Sequence, residues 1–429
     1  MALYLFSIGK DVFFNRASIQ SNIRFNDIFN KNRIPFIAVL EEEGIIETVE
    51  GHTRLLVPSS SLDKKIPPKD PAFFNPSARL SRDISLLAYR AFLKDASNNK
   101  KTFGDSFSGM GARALRVAVE VPEMEEVYMN DINPRAIGLS RKAAELNFVT
   151  RKCNFSVSDV CKFLIIHATK NEKRFGVVDM DPFGSPAKYV DCLLRSVADS
   201  GLISVTATDT AVLCGVYHDV CLRKYYGRPI NNHHANETAI RLIISLIALT
   251  AARLDLSICP LFVHSYLHYI RLYAKIKLSS RLANKVHNDL GYLRYCFKCG
   301  NRDMIRDCSK AEDCDLCGNG YSLGGKLWIS NLFDKNFIQK MINFNFKDSS
   351  NKNFDHINKL FCTCLNENDD IPFYFLVDEI ASKLRTSPLP VQRVIERLSA
   401  LGYRCSKVGL NARAFKTDAK MNEILNLLR

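Results

Sequence analysis

Apolar and polar positions along the middle of the chain switch between a period of two and a helical period, and that switching predicts the architecture. Between about residues 71 and 280, short apolar runs alternate with helical patterns, the signature of an α/β sheet. Lys101 to Phe107 predicts a first strand, leading into Ser108-Gly109-Met110-Gly111-Ala112-Arg113 and a helix through Leu115, Val117, Ala118 and Val119. Val127 to Asp131 predicts a second strand. Asn133-Pro134 then opens a helix carrying Ile137, Leu139, Ala143, Ala144 and Leu146. Asn154 to Val157 predicts a third strand ahead of Ser158-Asp159, Gly176 to Met180 a fourth, and Gly201 to Asp209 a fifth. Ile270, Leu272, Ala274, Ile276 and Leu278 alternate with Arg271, Tyr273, Lys275 and Lys277, which predicts a half-buried antiparallel strand.

Further on, the polar stretch Asn345 to Asn358 reads as a loop. Val377 to Leu384 and Val391 to Leu401 then read as two helices joined through Arg385-Thr386-Ser387-Pro388-Leu389-Pro390. The apolar stripe Val391, Val394, Ile395, Leu398 and Leu401 fits either a winged-helix-like helix-turn-helix or a packed helical hairpin.

Composition narrows the class. A chain of 429 residues with 47% hydrophobic residues is globular and long enough for two or three domains. No apolar run is read as long enough to cross a bilayer, so no membrane association is expected. Lys and Arg outnumber Asp and Glu by 59 to 45, a net charge of +14 that favours a polyanionic partner. Met1 to Phe6 is too short an apolar stretch for a signal peptide, and Lys10-Asp11 follows at once. Cys153, Cys161, Cys192 and Cys221 sit singly in apolar contexts and read as buried thiols. An intracellular, reducing location is therefore expected: the nucleus in a eukaryote, otherwise the cytoplasm. The basic first forty residues read as a plain extension or a mitochondrial transit peptide.

The fourth strand ends in Asp181-Pro182-Phe183-Gly184-Ser185-Pro186. A carboxylate, a proline-fixed carbonyl and a ring at one strand tip suit a single task. They can stack a flat base while accepting hydrogen bonds from its exocyclic amine. The plain alternative is a strand ending in a proline turn. The glycine turn at Gly109 and Gly111 lets a ligand approach the backbone, without the spacing of a dinucleotide fingerprint. Asp131 at the next strand tip suits a grip on ribose hydroxyls, and Asp159 could accept from an adenine amine. Each acid alone is more often a cap. Together at one sheet edge they describe the nucleoside cleft of an S-adenosylmethionine methyltransferase.

Cys296-x-x-Cys299 and Cys314-x-x-Cys317, fourteen residues apart, have the spacing of paired zinc knuckles. Four thiolates leave no open position, so the zinc is structural; Cys308 could replace one ligand. His233, His234 and Glu237 could suggest a metal site, with a solvated loop as the alternative for the two histidines. His264 and His268 read as residues of a strand surface. Arg223, Lys224, Tyr225, Tyr226 and Arg228 form a basic and aromatic cluster suited to phosphate and base contacts.

Several strings then occur in one family's order. They are Phe74-Asn75-Pro76, Ser81-Arg82-Asp83-Ile84-Ser85, the Gly109 turn, Asn130-Asp131, Asp181 to Pro186, Val205 to Asp209, Cys221-x-Arg223-Lys224-Tyr225 and Lys416-Thr417-Asp418-Ala419. From about residue 45 to the C-terminus the chain resembles the tRNA (guanine-N2)-dimethyltransferases that modify guanine 26. The resemblance implies an α/β fold: a Rossmann-like class I methyltransferase domain at 45–280 and a smaller zinc-binding α+β, winged-helix-like domain at 281–429. Residues 1–44 are left as an extension. It implies that Arg82, Arg113, Asp131 and Asp159, with Gly109 and Val160 beside them, contact S-adenosylmethionine. Asp181, Pro182 and Phe183 would handle the guanine, and Arg223, Lys224 and Tyr225 would bind tRNA. Ser-Gly-Met-Gly-Ala-Arg departs from the family's usual Ala-Ser-Gly-Leu-Arg. Val408-Gly409 stands where a Thr-His pair is usual, which puts a tRNA contact there in doubt. The expected activity is a two-step methylation of guanine N2 by a monomer. A methyltransferase for another RNA guanine and a non-catalytic tRNA-binding protein remain as alternatives.

Overall fold

The computed structural model describes residues 44–95, 101–169, 173–308, 313–347 and 351–429. Residues 1–43, and with them nearly all of the expected extension, lie outside the described residues. The described residues begin with the strands β1 (Ile45–Glu50) and β2 (Thr53–Pro58), followed by the helix α1 (Arg79–Leu93). Then come β3 (Thr102–Asp105), α2 (Ala112–Glu120), β4 (Glu126–Asp131), α3 (Pro134–Leu146), β5 (Cys153–Val157), α4 (Val160–Ile166) and β6 (Phe175–Met180). After these come α5 (Val190–Ser196), β7 (Val197–Ala207), α6 (His218–Tyr225), α7 (Ala235–Ala252), β8 (Leu256–Tyr266) and β9 (Tyr269–Leu278).

β3 to β9 form one seven-stranded sheet in the order β5-β4-β3-β6-β7-β9-β8. β5, β4, β3, β6 and β7 run parallel, while β9 runs antiparallel to both β7 and β8. The strand order reverses between β3 and β6, and the carboxyl ends at such a switch point open a crevice for ligands. Central parallel strands are covered on both faces, and β6 is buried along its whole length. The expected strands are all present. So is the helix start at Asn133-Pro134: the Asn133 side chain accepts from the Arg135 amide at 2.9 Å and Pro134 occupies the first turn.

The later part supplies β10 (Leu290–Tyr295), β11 (Arg302–Ile305) and β12 (Ser322–Trp328), a three-stranded antiparallel sheet. The helices α8 (Lys335–Lys347) and α9 (Phe354–Leu365) follow. Next are β13 (Phe375–Leu376), α10 (Val377–Leu384), α11 (Val391–Ala400), β14 (Cys405–Lys407), β15 (Ala414–Thr417) and α12 (Met421–Leu428). α10 and α11 match the expected pair, and β13-β15-β14 closes as a small antiparallel sheet beside them. Phe375, Ile380, Val394, Leu398, Phe415 and Ile424 fill the core of this region.

Three sequence-based expectations are corrected. Most of the polar stretch 345–358 is helical where described, because Ile357, Phe361 and Cys364 give α9 a buried face among polar residues. α7 is, at 18 residues and mean hydropathy 1.4, long and apolar enough to cross a membrane. It is a core helix instead, packed on β8 and β12 and carrying the buried Glu237–Arg241 pair. Third, Cys161 and Cys192 form a disulfide joining α4 to α5, whereas Cys153 and Cys221 are buried thiols as expected.

Residues 47–429 form one compact unit. α8 packs on α1, and α7 packs on β12, so the parts on either side of residue 280 interlock. A second tie is electrostatic. Glu237 accepts from Arg241 Nε at 2.9 Å and from the Phe373 amide at 2.9 Å, and it lies 3.8 Å from Lys416 Nζ. Lys416 also meets Glu367 at 2.8 Å, and all of these side chains are fully buried. Burial acts to raise the Glu237 pKa, but Lys416 and Arg241 outweigh it and hold the carboxyl below the usual glutamate range. The stabilisation is therefore complete above that range and is lost as pH falls through the folded value. Glu237→Ala leaves Arg241 and Lys416 undercompensated in the interior, so stability should fall by about 3–5 kcal/mol at neutral pH. Urea unfolding measured at pH 7 and pH 4 should show the variant's deficit shrinking in acid.

Candidate active site

A cavity of about 440 Å³ opens at the carboxyl ends of β3, β4 and β6. The turn after β3 forms one wall. Gly109 (φ 54°) and Gly111 (φ 84°) adopt left-handed conformations that suit glycine, and α2 begins directly behind them. The Asp131 carboxylate, at the tip of β4, accepts from the Gly109 amide at 2.8 Å and from the Asn133 amide at 2.9 Å. Exposed Ile132 continues this wall. Ser108 also lines the cavity, and its buried hydroxyl has no hydrogen-bond partner among the described residues. A glycine-lined backbone, a fixed strand-tip carboxylate and an orphaned hydroxyl fit the nucleoside end of S-adenosylmethionine.

Asp181, Pro182 and Phe183 line the same cavity. Pro182 is buried and Asp181 half-buried, whereas Phe183 is 64% exposed. The Phe183 ring sits edge-on to Phe73 at 4.9 Å with the Lys69 ammonium 4.9 Å from its centroid. Arg113 Nη2 donates to Asp181 at 2.7 Å, while its Nε lies 3.1 Å from Asp179 on β6. Asp179 also accepts from Tyr89 at 2.9 Å and from Ser204 and Arg271, all of them buried. Burial acts to raise the Asp179 pKa, but Arg271 and Arg113 overcome it and keep the carboxyl below its ordinary range. Asp105, beside this network and in the cavity wall, behaves oppositely: burial and the nearby Asp179 charge push its pKa well up.

The loop after Phe183 is held from both ends. The Gly184 amide donates to Thr208 Oγ1 at 2.7 Å, and the Thr208 amide returns to the Gly184 carbonyl at 2.9 Å. Tyr225 donates to Asp209 at 2.7 Å and lies 2.8 Å from Ser185 Oγ, which makes the Ser185 hydroxyl the donor of that second bond. Sequence reasoning missed Asp179, Asp105 and Arg271. Their only sequence signals were an acid inside an apolar run, an acid at the end of a strand and an arginine on an alternating one.

Other expected site residues are placed differently. Arg82 lines the cavity, but its guanidinium makes two 2.6 Å bonds to buried Glu50, so its charge is already matched. Asp159 caps α4, accepting from Cys161 at 2.9 Å and Lys162 at 3.1 Å, and neither it nor buried Val160 lines the cavity. Arg223 is exposed on α6 and Lys224 is 3.7 Å from Asp209, but Tyr225 is fully buried and braces the loop rather than facing a ligand. His234 and Glu237 are fully buried, and His264 lies at 1% exposure in β8 instead of on a strand surface. Of that histidine pair only His268, in the β8–β9 turn, is exposed.

Cys296, Cys299, Cys314 and Cys317 bring their sulfurs within 4.8 Å of one another. A tetrahedral site with Zn–S bonds of about 2.3 Å sets its sulfurs roughly 3.8 Å apart, so the cluster is compatible with a structural zinc. Each pair sits on a tight turn: the Gly300 amide donates to the Cys296 carbonyl and the Gly318 amide to that of Cys314, both at 2.7 Å. Cys308 is exposed and outside the cluster.

Tyr225→Phe removes the donor to Asp209 and the acceptor for Ser185. Amide exchange across residues 183–187 should quicken, while global stability falls by only about 1 kcal/mol.

The comparisons with known proteins agree with this geometry. A family model described as N2,N2-dimethylguanosine tRNA methyltransferase matches residues 51–429. A tRNA (guanine(26)-N(2))-dimethyltransferase from Methanothermobacter thermautotrophicus is 33% identical over 388 residues, covering 90% of this chain and 98% of the relative. A tRNA (guanine(26)-N(2)/guanine(27)-N(2))-dimethyltransferase from Aquifex aeolicus is 29% identical, covering 88% and 94%. The solved complex of Trm1 from Pyrococcus horikoshii with S-adenosyl-L-methionine superposes with a TM-score of 0.76 at 28% identity, over 89% of this chain and 99% of that one. With its cavity at the sheet's switch point and a family match that spans the described fold, the chain belongs to the N2,N2-dimethylguanosine tRNA methyltransferase family.

Proposed function

We propose that this protein methylates the exocyclic N2 of guanine 26 in tRNA, twice, to give N2,N2-dimethylguanosine. The observation that carries the reading is that the Asp181–Phe183 strand tip and the Gly109–Asp131 turn line one cavity. Gly109, Asp131 and Ser108 would hold the nucleoside end of S-adenosylmethionine. When bound, S-adenosylmethionine supplies a methyl group made electrophilic by its sulfonium.

The guanine amine is a poor nucleophile because its lone pair is delocalised into the ring. A carboxylate accepting its N–H bonds returns electron density to nitrogen and takes up the proton as the new C–N bond forms. Asp181 fits that role: it is half-exposed, and Arg113 fixes one of its oxygens at 2.7 Å. The target base must leave its helical stack to reach the cavity. Phe183 offers it a ring with most of its surface open, held from the side by Phe73. Holding amine and methyl donor in contact supplies much of the remaining acceleration. The second transfer needs the monomethylated amine to rotate beside Asp181 without leaving the pocket.

The four-cysteine cluster is read as a structural zinc site that fixes β10, β11 and the knuckle loops. The helix pair with its small sheet is read as a winged-helix-like module. The exposed basic residues Arg223 and Arg228, with Tyr226, extend an RNA surface beside the active loop.

Asp181→Ala should lower the methylation rate on transcribed tRNA by at least ~10²-fold, with tRNA and S-adenosylmethionine affinities within a few-fold of wild type. Full activity in that variant would remove Asp181 from the chemistry. Mass analysis of the wild-type product should show dimethylated guanine at position 26. Cys314→Ser should lose about one zinc per chain by atomic absorption and lower the unfolding midpoint, since structural zinc contributes directly to folding.

A further inference from the structure

The one disulfide among the described residues sits beside the active cavity, and the proposed chemistry does not use it. Cys161 lies in the first turn of α4 and Cys192 in the first turn of α5. Each helix follows directly on one part of the cavity's frame. α4 starts behind Ser158-Asp159; the Ser158 amide donates to the Asp131 carbonyl at 3.3 Å, and the Ser158 carbonyl accepts from Asn130 at 3.1 Å. The Asp159 carboxylate in turn accepts from the Cys161 amide at 2.9 Å. α5 follows the strand tip Asp181 to Pro186 through the turn Ala187–Tyr189. The Tyr189 ring stands edge-on to Phe107, a residue of the cavity lining, at 5.1 Å. The disulfide therefore joins the frame that carries Asp131 to the loop that carries Asp181 and Phe183.

This bond differs from a staple on which the fold depends. Val160, Phe163 and Leu164 bury α4, and Val190, Leu193 and Leu194 bury α5, so both helices stay seated on apolar contacts when the bond opens. The two Cα atoms stand 5.5 Å apart, inside the ordinary range for a bridged pair, so the bond opens and re-forms without displacing either helix. Of the two residues, half-buried Cys161 is the more open to a small thiol. Cys192 is buried with its sulfur 3.2 Å from the Tyr189 carbonyl, a ready acceptor for the thiol that reduction creates.

We propose that Cys161 and Cys192 form a redox-controlled clasp that couples S-adenosylmethionine binding to the thiol–disulfide balance around the protein. Closed, the clasp holds the Asp131 frame and the 181–189 loop in one arrangement. Open, the loop keeps its ties to Thr208 and Tyr225 but loses its tie to the Asp131 frame, and the arrangement that grips the cofactor is populated less. Closure balances with glutathione disulfide as the oxidant. The Cys161 thiolate attacks one glutathione sulfur and releases one glutathione thiolate; the Cys192 thiolate then attacks the Cys161 sulfur and releases the second. Two electrons pass from the protein to glutathione, and the two protons of the protein thiols end on the two glutathione thiols. The inference rests on the proposed placement of the cofactor at Gly109 and Asp131.

The test equilibrates the full chain in buffers that differ in their ratio of glutathione to glutathione disulfide. Differential alkylation with mass analysis should show Cys161 and Cys192 passing together between thiol and disulfide in the folded protein. Calorimetric titration should show S-adenosylmethionine bound about threefold more weakly by the reduced form. Amide exchange across residues 158–162 and 185–192 should quicken on reduction, while β3 and β6 stay protected. The Cys161→Ser/Cys192→Ser variant should match reduced wild type at every ratio, which separates the clasp from oxidation of the four-cysteine cluster. A pair that does not exchange with glutathione in the folded chain overturns the proposal. So does an S-adenosylmethionine affinity equal in the two forms, the result that a bond serving stability alone would give. If neither form binds S-adenosylmethionine, the cofactor placement and the coupling are refuted together, and alkylation and exchange still decide whether the clasp opens.

Discussion

The Asp179 carboxylate, buried at the end of β6, organises everything above it. It is surrounded by Arg113 from α2, Arg271 from β9, Tyr89 from α1 and Ser204 from β7. A lone carboxylate could not remain charged in that interior, and two arginines could not enter it without a counter-charge. Each makes the other possible. The outcome reaches the cavity through Arg113, which spans Asp179 and Asp181 and so fixes the orientation of the half-buried Asp181 carboxylate. The position of the Asp181 carboxylate is thus set by a charge balance two residues below it.

The same logic recurs at two other places. Glu50 is shared by Arg82 and Arg116, and Arg116 also meets Asp83 and Glu120, which ties β1 to α1 and α2. Glu237, Arg241, Lys416 and Glu367 join α7 to the C-terminal module. Such clusters add little net stability over apolar packing, but each tolerates only one arrangement of its partners. They fix the relative placement of elements that a greasy interface would let slide.

Much of the fold was legible in the chain. Strands β3 to β7 stood out because short apolar runs ended in Asp, Asn or Pro, and helix starts were marked by Asn133-Pro134 and by glycines. The α7 helix and its neighbour β8 were not singled out, because an evenly apolar stretch shows no period that separates helix from strand. α9 was hidden by its polar residues, and its apolar positions mean something only once a partner face exists. The cavity residues Gly109, Asp131 and Asp181 were found because each sits at a strand tip or glycine turn, a local feature, whereas Arg113 was assigned only through resemblance. Arg82 was assigned through resemblance, and Asp159 and Tyr225 from a strand end and a basic, aromatic cluster; in the structure they serve as an ion-pair partner, a helix cap and a loop brace.

By itself the sequence determined what depends on near neighbours. It set the alternation of strands and helices, the caps, the paired cysteine knuckles and the acid-Pro-Phe strand tip, since each follows from local sterics and hydrogen bonding. Tertiary structure alone decided which charges meet. Arg113 and Asp179 are far apart in the chain, as are Arg271 and Asp179, and no local pattern specifies that they share one buried site. How deeply an acid is buried and which charges surround it depend on that meeting, and for Asp179 the surrounding arginines overcome burial and hold its pKa below the ordinary range. Asp179 and Asp181, two residues apart on one strand end, owe their different roles to it.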